Sequence, residues 1–376
     1  YCWFYDSHIL WRESYPAMAM CIEHTKKMRF GPCVTNPNTR EWSQAASLFG
    51  SLAKQSDGRF DMGVGRGDSA VRVMGRKPAR LAKMDEFIDV VKGLIRGEER
   101  QYGDVPNPIQ FPWAEGYELP VWVAAYGPKA LDSAGRMGDG LILQIAEPFI
   151  CKWLSGQALD AGKANGRDMS NYKVMAAAPA YFGDMQTCRD ATRWFPAMVG
   201  NHVADIVEKY GTGRDDIPET LTAYIKDRKG YDYSKHGQSD NPYLDFITDD
   251  IIDAFAVLGT PDDHIAKLKT LEKAGVTQFN IYLDNGDEEN IIAEYGFSNK
   301  FLLQPDIIPF LQKQRRGFSI SDDPRVHELV LRYQNRLLDH LLNSNVLKRI
   351  TNSTLYGNDY NISNYMIDLR KSIFKN

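Results

Sequence analysis

Much of what a chain of this length can carry is missing from this one. No apolar run approaches the roughly 18 residues that a membrane helix needs, so no membrane partner is expected. Cysteine is sparse: Cys2, Cys21, Cys33, Cys151 and Cys188 stand at wide, irregular spacing. They form neither a disulfide framework nor a zinc pattern, which excludes a disulfide-stapled scaffold and a structural metal module and fits a reducing cytoplasm. Charge of one sign is lacking too. The 45 basic and 49 acidic residues are intermixed and leave a net charge of −4, so there is no nucleic-acid footprint. No basic-then-apolar leader follows Tyr1, and no signal peptide is expected. What remains is an ordinary globular balance, 43% apolar and 25% charged over 376 residues. That length holds two ordinary domains, or one (β/α)₈ barrel of about 250 residues with additions.

A further absence divides the chain. Residues 1–314 contain 30 alanines and residues 315–376 contain none, while asparagine runs 11 against 8. The last 62 residues carry a charge of +4, leaving −8 for the body. We therefore place a junction between unrelated segments near Gln314-Arg315-Arg316-Gly317. The tail is not disordered by composition. Val330, Leu331, Leu337, Leu338, Leu341 and Leu342 recur at helical spacing, as do Ile362, Met366, Leu369 and Ile373, so amphipathic helices are expected. Its Leu-Leu-Asp-His-Leu-Leu-Asn stretch faintly resembles the C-terminal helices of large bacterial zinc-dependent metalloproteases. It holds no HExxH helix, so the resemblance implies no protease activity.

In residues 1–314, β-branched apolar runs alternate with helical patterns. Strands are predicted at 1–5, 29–34, 60–64, 121–125, 140–143, 173–178 and 278–282. Helices are predicted at 15–25, 42–54, 81–97, 129–137, 149–161, 187–210 and 262–274. Thr260-Pro261-Asp262-Asp263 opens the last helix with a cap, a proline at the first position and acids in the first turn. Alternation of this kind implies a parallel sheet with helices outside. Seven strands are one short of a barrel, and a first βα unit of about 30 residues is expected to be missing. Each strand ends in a chemically loaded segment: Asp6-Ser7-His8, Thr35-Asn36-Pro37, Gly65-Arg66-Gly67-Asp68, Tyr126-Gly127-Pro128, Gln144 with Glu147, Pro179, and Asp284-Asn285-Gly286. In a (β/α)₈ barrel that end carries the active site. Residues 98–118 and 211–250 break the rhythm, and the second reads as an insertion at the mouth or a surface elaboration.

The motifs fall in a recognisable order. They are Tyr1-Cys2-Trp3-Phe4-Tyr5-Asp6-Ser7-His8, Phe30-Gly31-Pro32-Cys33-Val34-Thr35-Asn36-Pro37, Gly63-Val64-Gly65-Arg66-Gly67-Asp68, Val123-Ala124-Ala125-Tyr126-Gly127-Pro128, Ala134-Gly135 through Gly138-Asp139-Gly140, and Val257-Leu258-Gly259-Thr260-Pro261. Together they resemble the luciferase-like superfamily in its coenzyme F420-dependent branch, which includes methylenetetrahydromethanopterin reductases. The resemblance covers residues 1 to about 313 and implies a (β/α)₈ TIM barrel. It implies an oxidoreductase that passes hydride between reduced coenzyme F420 and a small organic substrate, reducing a polarised C=N, C=C or C=O bond or running in reverse. The alternatives are an FMN-dependent monooxygenase and a non-functional fragment or fusion.

The resemblance also assigns residues. Cys33-Val34 matches a non-proline cis peptide whose bulge supports the cofactor ring. His8, beside Asp6 just past a strand end, matches a histidine at the hydride-transfer centre of related sugar-phosphate dehydrogenases; the other reading is a loop-packing residue. Trp11 lies one position off the family's aromatic neighbour. Asp68 matches an acidic proton donor, with Asp in place of Glu, or it caps the next helix. Thr35 and Asn36 suit the carbonyl and ring nitrogens of a deazaflavin, or shape the turn before Pro37. Gly63, Gly65 and Gly67 leave room for the cofactor to approach the backbone. Tyr126-Gly127 opens a helix whose free N–H groups suit the phosphate that both F420 and FMN carry. Asn280, Tyr282 and Asp284 end the last strand within reach of a substrate. His24, His202, His236 and His264 read as structural or surface residues. Family members are commonly dimers, so a homodimer is expected.

Overall fold

The computed structural model describes residues 1–200, 247–283 and 286–297. The expected insertion up to residue 246, Asp284, His202, His236 and the tail beyond 297 lie outside the described residues.

The sheet is parallel throughout its named ladders. Strand β1 (Cys2–Phe4) pairs with β2 (Phe30–Pro32), with Trp3 opposite Gly31. Bridges from Phe30 to Phe60 and from Thr35 to Val64 carry the curve on to β3 (Met62–Val64). Then β4 (Val121–Ala124), β5 (Gly140–Leu143) and β6 (Lys173–Phe182) follow in order. The long β6 serves two partners. Its first half pairs with β8 (Gln278–Tyr282), Met175 opposite Gln278, and its end pairs with β7 (Val257–Gly259). Alanines 176, 177, 178 and 180, all fully buried, let the neighbouring layers close tightly on this strand. The ends of β1 and β8 meet through rings: Tyr5 stacks on Tyr282 at 5.8 Å.

Helices cover the outside: α1 (Tyr15–Glu23), α2 (Trp42–Gln55), α3 (Ser69–Arg72), α4 (Leu81–Ile95), α5 (Pro128–Met137), α6 (Pro148–Ala164) and α7 (Met185–Thr192), then α8 (Asp249–Phe255), α9 (Pro261–Lys273) and α10 (Glu288–Phe297). Their starts are chemically marked. Glu147 accepts from the Phe149 and Ile150 N–H groups, Asp184 from Thr187, and Thr260 with Asp263 forms a full capping box. The buried faces recur at helical spacing, as in α4 with Met84, Phe87, Ile88, Val91 and Ile95.

This is the barrel-type α/β architecture the alternation implied, with three differences. Val257–Gly259 is an eighth strand, too short for periodicity to register. The helix predicted over 187–210 stops at Thr192 and turns at Arg193 before helix resumes. The four-residue α3 is too short to leave a helical pattern. Among the described residues no helix is long and apolar enough to cross a membrane.

Candidate active site

The C-terminal ends of the strands bring the sequence-derived residues to one face, in very different states. Cys33–Val34 is a cis peptide just beyond β2. It lies against the barrel interior, where Cys33, Val34 and Ala124 pack on a cluster of Tyr1, Trp3, Trp122, Ile142 and Met175. Burial pushes the Cys33 thiol up to about 12, so it stays protonated and is no nucleophile at neutral pH. Val34 presses on Gly65: a Cβ there would stand 3.0 Å from Val34 Cγ2. Gly67 has φ +79°, a left-handed conformation that favours glycine, and a Cβ there would strike the Asn36 side chain. The glycine turn thus first serves packing around the bulge.

Thr35 and Asn36 differ. Asn36 is consumed locally: its Oδ1 accepts from Asn38 N at 3.0 Å, and its Nδ2 donates to Thr39 Oγ1 at 3.1 Å. This is the turn-shaping role. Thr35 is fully buried, its N–H donating to Gly63 O and its C=O accepting from Gly65 N. Its Oγ1 meets no partner at full hydrogen-bond geometry; the Tyr15 phenol, whose own proton goes to Asp6, is the acceptor that lies nearest to it. A buried hydroxyl left unpaired costs about 1–3 kcal/mol, so its position here asks for a ligand.

Asp6 is saturated. It is buried, accepts from Tyr15 Oη at 2.9 Å, and pairs with Arg40 at 3.0 Å. Arg40 in turn holds Glu13 and lies 4.7 Å over the Tyr15 ring. Burial first, then the Asp6 carboxylate, push the Tyr15 phenol up, so it remains a donor. His8, two residues on, is exposed at the rim. Trp11 stacks on Tyr5 at 5.7 Å, which continues the ring contact to Tyr282. Asp68 occupies the N-cap position of α3 without a capping bond, and its carboxylate pairs with Arg72 one turn on.

Gly127 caps α5 with no side-chain cap bond and leaves the helix start to backbone N–H groups. Tyr126 directly precedes that terminus. Its ring turns inward, and its hydroxyl accepts from Gln144 N at 2.6 Å. The Gln144 side chain donates to Tyr282 Oη at 2.5 Å. Glu147, grouped with Gln144 in the sequence, caps α6 instead. Among the described residues no three His, Cys, Asp or Glu side chains converge as a metal site.

One pair of contacts escaped sequence reading, and one residue takes the structural role expected of it. Arg40 and Tyr15, the partners of Asp6, carry no motif. His264, read as structural or surface, is fully buried. Its Nε2 lies 3.1 Å from Tyr181 O, its Nδ1 is 2.8 Å from Tyr295 Oη, and its ring stacks on Phe182 at 3.9 Å. It ties α9 and α10 to the end of β6.

Comparison with known proteins gives the site its setting. A family model described as luciferase-like monooxygenase matches residues 1–278, and a Met-zincin model matches residues 288–376. The chain is 29% identical over 288 residues to a 5,10-methylenetetrahydromethanopterin reductase of Archaeoglobus fulgidus, covering 74% of this chain and 83% of the relative. It is 30% identical over 283 residues to the protein of that name from Methanolobus tindarius, covering 71% and 81%. Among solved structures, the coenzyme F420 dependent tetrahydromethanopterin reductase from Methanopyrus kandleri superposes with a TM-score of 0.59 at 22% identity, over 79% of this chain and 89% of that one. This last likeness speaks for the fold.

Proposed function

This chain belongs to the luciferase-like monooxygenase family, and from that premise we propose that it is an oxidoreductase using coenzyme F420 to transfer hydride to or from a small organic substrate. Another relative, an F420-dependent glucose-6-phosphate dehydrogenase of Amycolatopsis mediterranei that is 25% identical over 319 residues, supports the cofactor. The observation that carries the reading is Thr35: a fully buried hydroxyl without a partner, one residue past the cis Cys33–Val34 peptide at the strand ends. That hydroxyl fits a ring carbonyl or nitrogen of a deazaflavin.

In this reading the bulge at Cys33–Val34 supports the ring, with Gly65 behind it. Thr35 binds the ring's polar edge, and Asn36 and Gly67 hold the turn. The Gly127 end of α5 takes the phosphate through its backbone N–H groups. The cofactor, when bound, supplies the hydride. Asp6 fixes Arg40 and Tyr15 beneath the site. His8 at the rim is the proton-transfer candidate, a role a histidine fills near neutral pH. Asp68 is committed to Arg72 and orders α3. We assign residues 1–314 to the luciferase-like unit and residues 315–376 to a segment of foreign origin. Five free thiols support a reducing compartment, and the assembly we assign is a cytoplasmic homodimer.

The test is anaerobic oxidation of reduced F420, followed at 420 nm, with 5,10-methylenetetrahydromethanopterin and secondary ketones as acceptors. Turnover with either supports the reading. Oxygen uptake with reduced FMN, and none of these turnovers, assigns the chain to the monooxygenase alternative.

A further inference from the structure

One polar group at the barrel mouth has no part in the proposed function. Gln144, immediately after β5, fixes two phenols from two other strands. Its main-chain N–H donates to Tyr126 Oη at 2.6 Å, and its Nε2 donates to Tyr282 Oη at 2.5 Å. Tyr282 Oη also hydrogen-bonds the hydroxyl of Tyr5, whose ring lies parallel to it at 5.8 Å. Tyr282 is 4% exposed, whereas Tyr5 is only half-buried, so the pair runs from the interior towards solvent. Burial pushes the Tyr126 and Tyr282 phenols up, and each keeps its proton at neutral pH. An amide N–H already aimed at a phenol oxygen is the donor that would stabilise the phenolate once the proton leaves.

We propose that Tyr282 Oη delivers the proton that accompanies hydride transfer, with Gln144 as its positioning residue and Tyr5 as the route by which it is reprotonated. The inference rests on the proposed F420-dependent function. In the reducing direction, the carbon of a C=O or C=N substrate gains a hydride, the π pair moves to the heteroatom, and the heteroatom takes the Tyr282 proton. The substrate is reduced by two electrons, and a reduced deazaflavin is the donor oxidised by two. Gln144 Nε2–H holds the phenolate until Tyr5 Oη passes a proton across and regains one from water.

The experiment uses the full chain labelled with 3-fluorotyrosine, with the Tyr282 ¹⁹F resonance assigned by its loss in Tyr282→Phe. Oxidised F420 is titrated in, and its binding is read independently from its own fluorescence. A Tyr282 resonance that moves on F420 binding is expected. Tyr282→Phe keeps the ring stack on Tyr5, so F420 affinity is expected to hold while oxidation of reduced F420 by 5,10-methylenetetrahydromethanopterin slows by about 10²–10⁴-fold with an altered solvent isotope effect. Gln144→Leu is expected to follow in the same direction with a smaller loss. F420 binding with an unmoved Tyr282 resonance overturns this inference alone, as does a Tyr282→Phe chain with wild-type rate and isotope effect. A wild-type chain that does not bind F420 overturns the functional reading and this inference with it.

Discussion

The two ends of the barrel treat polar groups in opposite ways. At the N-terminal ends of the strands, a buried carboxylate and its neighbours form a closed network. Asp61, 1% exposed just before β3, receives the Arg29 guanidinium and Trp122 Nε1 at 2.9 Å. Arg167 donates to the carbonyls of Gly135 and Gly138, and Tyr117 to that of Phe60. At the C-terminal ends, Thr35 Oγ1 is buried without a partner, two phenols share one glutamine, and His8 stands exposed. On the proposed reading, one sheet carries a lower end organised for stability and an upper end organised for a ligand, the division of labour that barrels of this type show.

The comparison is broken most decisively at Asp61. Replacing Asp61 with Ala leaves Arg29 and Trp122 Nε1 without their acceptor and is expected to cost about 3–5 kcal/mol of unfolding free energy while F420 affinity holds. Denaturant melts beside a cofactor titration check both halves. A stable variant, or one that loses the cofactor first, would erase the contrast.

His264 sharpens it. It lies near the upper end of β6 but is saturated on both nitrogens, so it is expected to behave like a lower-end group. Burial pushes it down to about 4, from an ordinary value of 6.5. The folded chain therefore needs it neutral. Its contribution is whole above about pH 6.5, falls by roughly 3 kcal/mol as the pH drops to about 4, and levels off below that. Unfolding free energy measured against pH should show this fall, and His264→Gln should flatten it.

Thr35→Val reverses the signs seen at Asp61. Removing an unpaired buried hydroxyl at equal shape should leave stability unchanged or raise it, while F420 affinity drops about fivefold for one lost hydrogen bond. The smallest effect is expected at Asp68. Its partly exposed pair with Arg72 is worth about 0.3–0.5 kcal/mol, so Asp68→Asn should barely move a melt. If turnover nevertheless falls further than cofactor binding, Asp68 donates a proton; equal and small changes leave it a residue of α3.

How much of the molecule is legible in one dimension depends on the range of the interaction. Strands such as 140–143 and 278–282 are legible to the residue because short apolar and aromatic runs are local, and the capping box at Thr260 is local too. Strand β7 and helix α3 are not, because three or four residues do not complete a period. The face of the site is legible from the polar segments at the strand ends. The partners are not: Asp6 finds Arg40 34 residues away, and Tyr282 finds Gln144 138 residues away. The hydroxyl of Tyr126 shows the same limit. Its neighbours along the chain mark a helix start, while its hydroxyl answers to a different strand.

The central claim, that the upper end of this barrel is built for a deazaflavin, is tested most directly by equilibrium titration of the wild-type and Thr35→Val chains with F420 and with FMN. Wild-type protein is predicted to bind F420 more tightly than FMN, and Thr35→Val to lose F420 affinity with no loss of stability. Tighter binding of FMN, or F420 affinity indifferent to Thr35, would contradict the account.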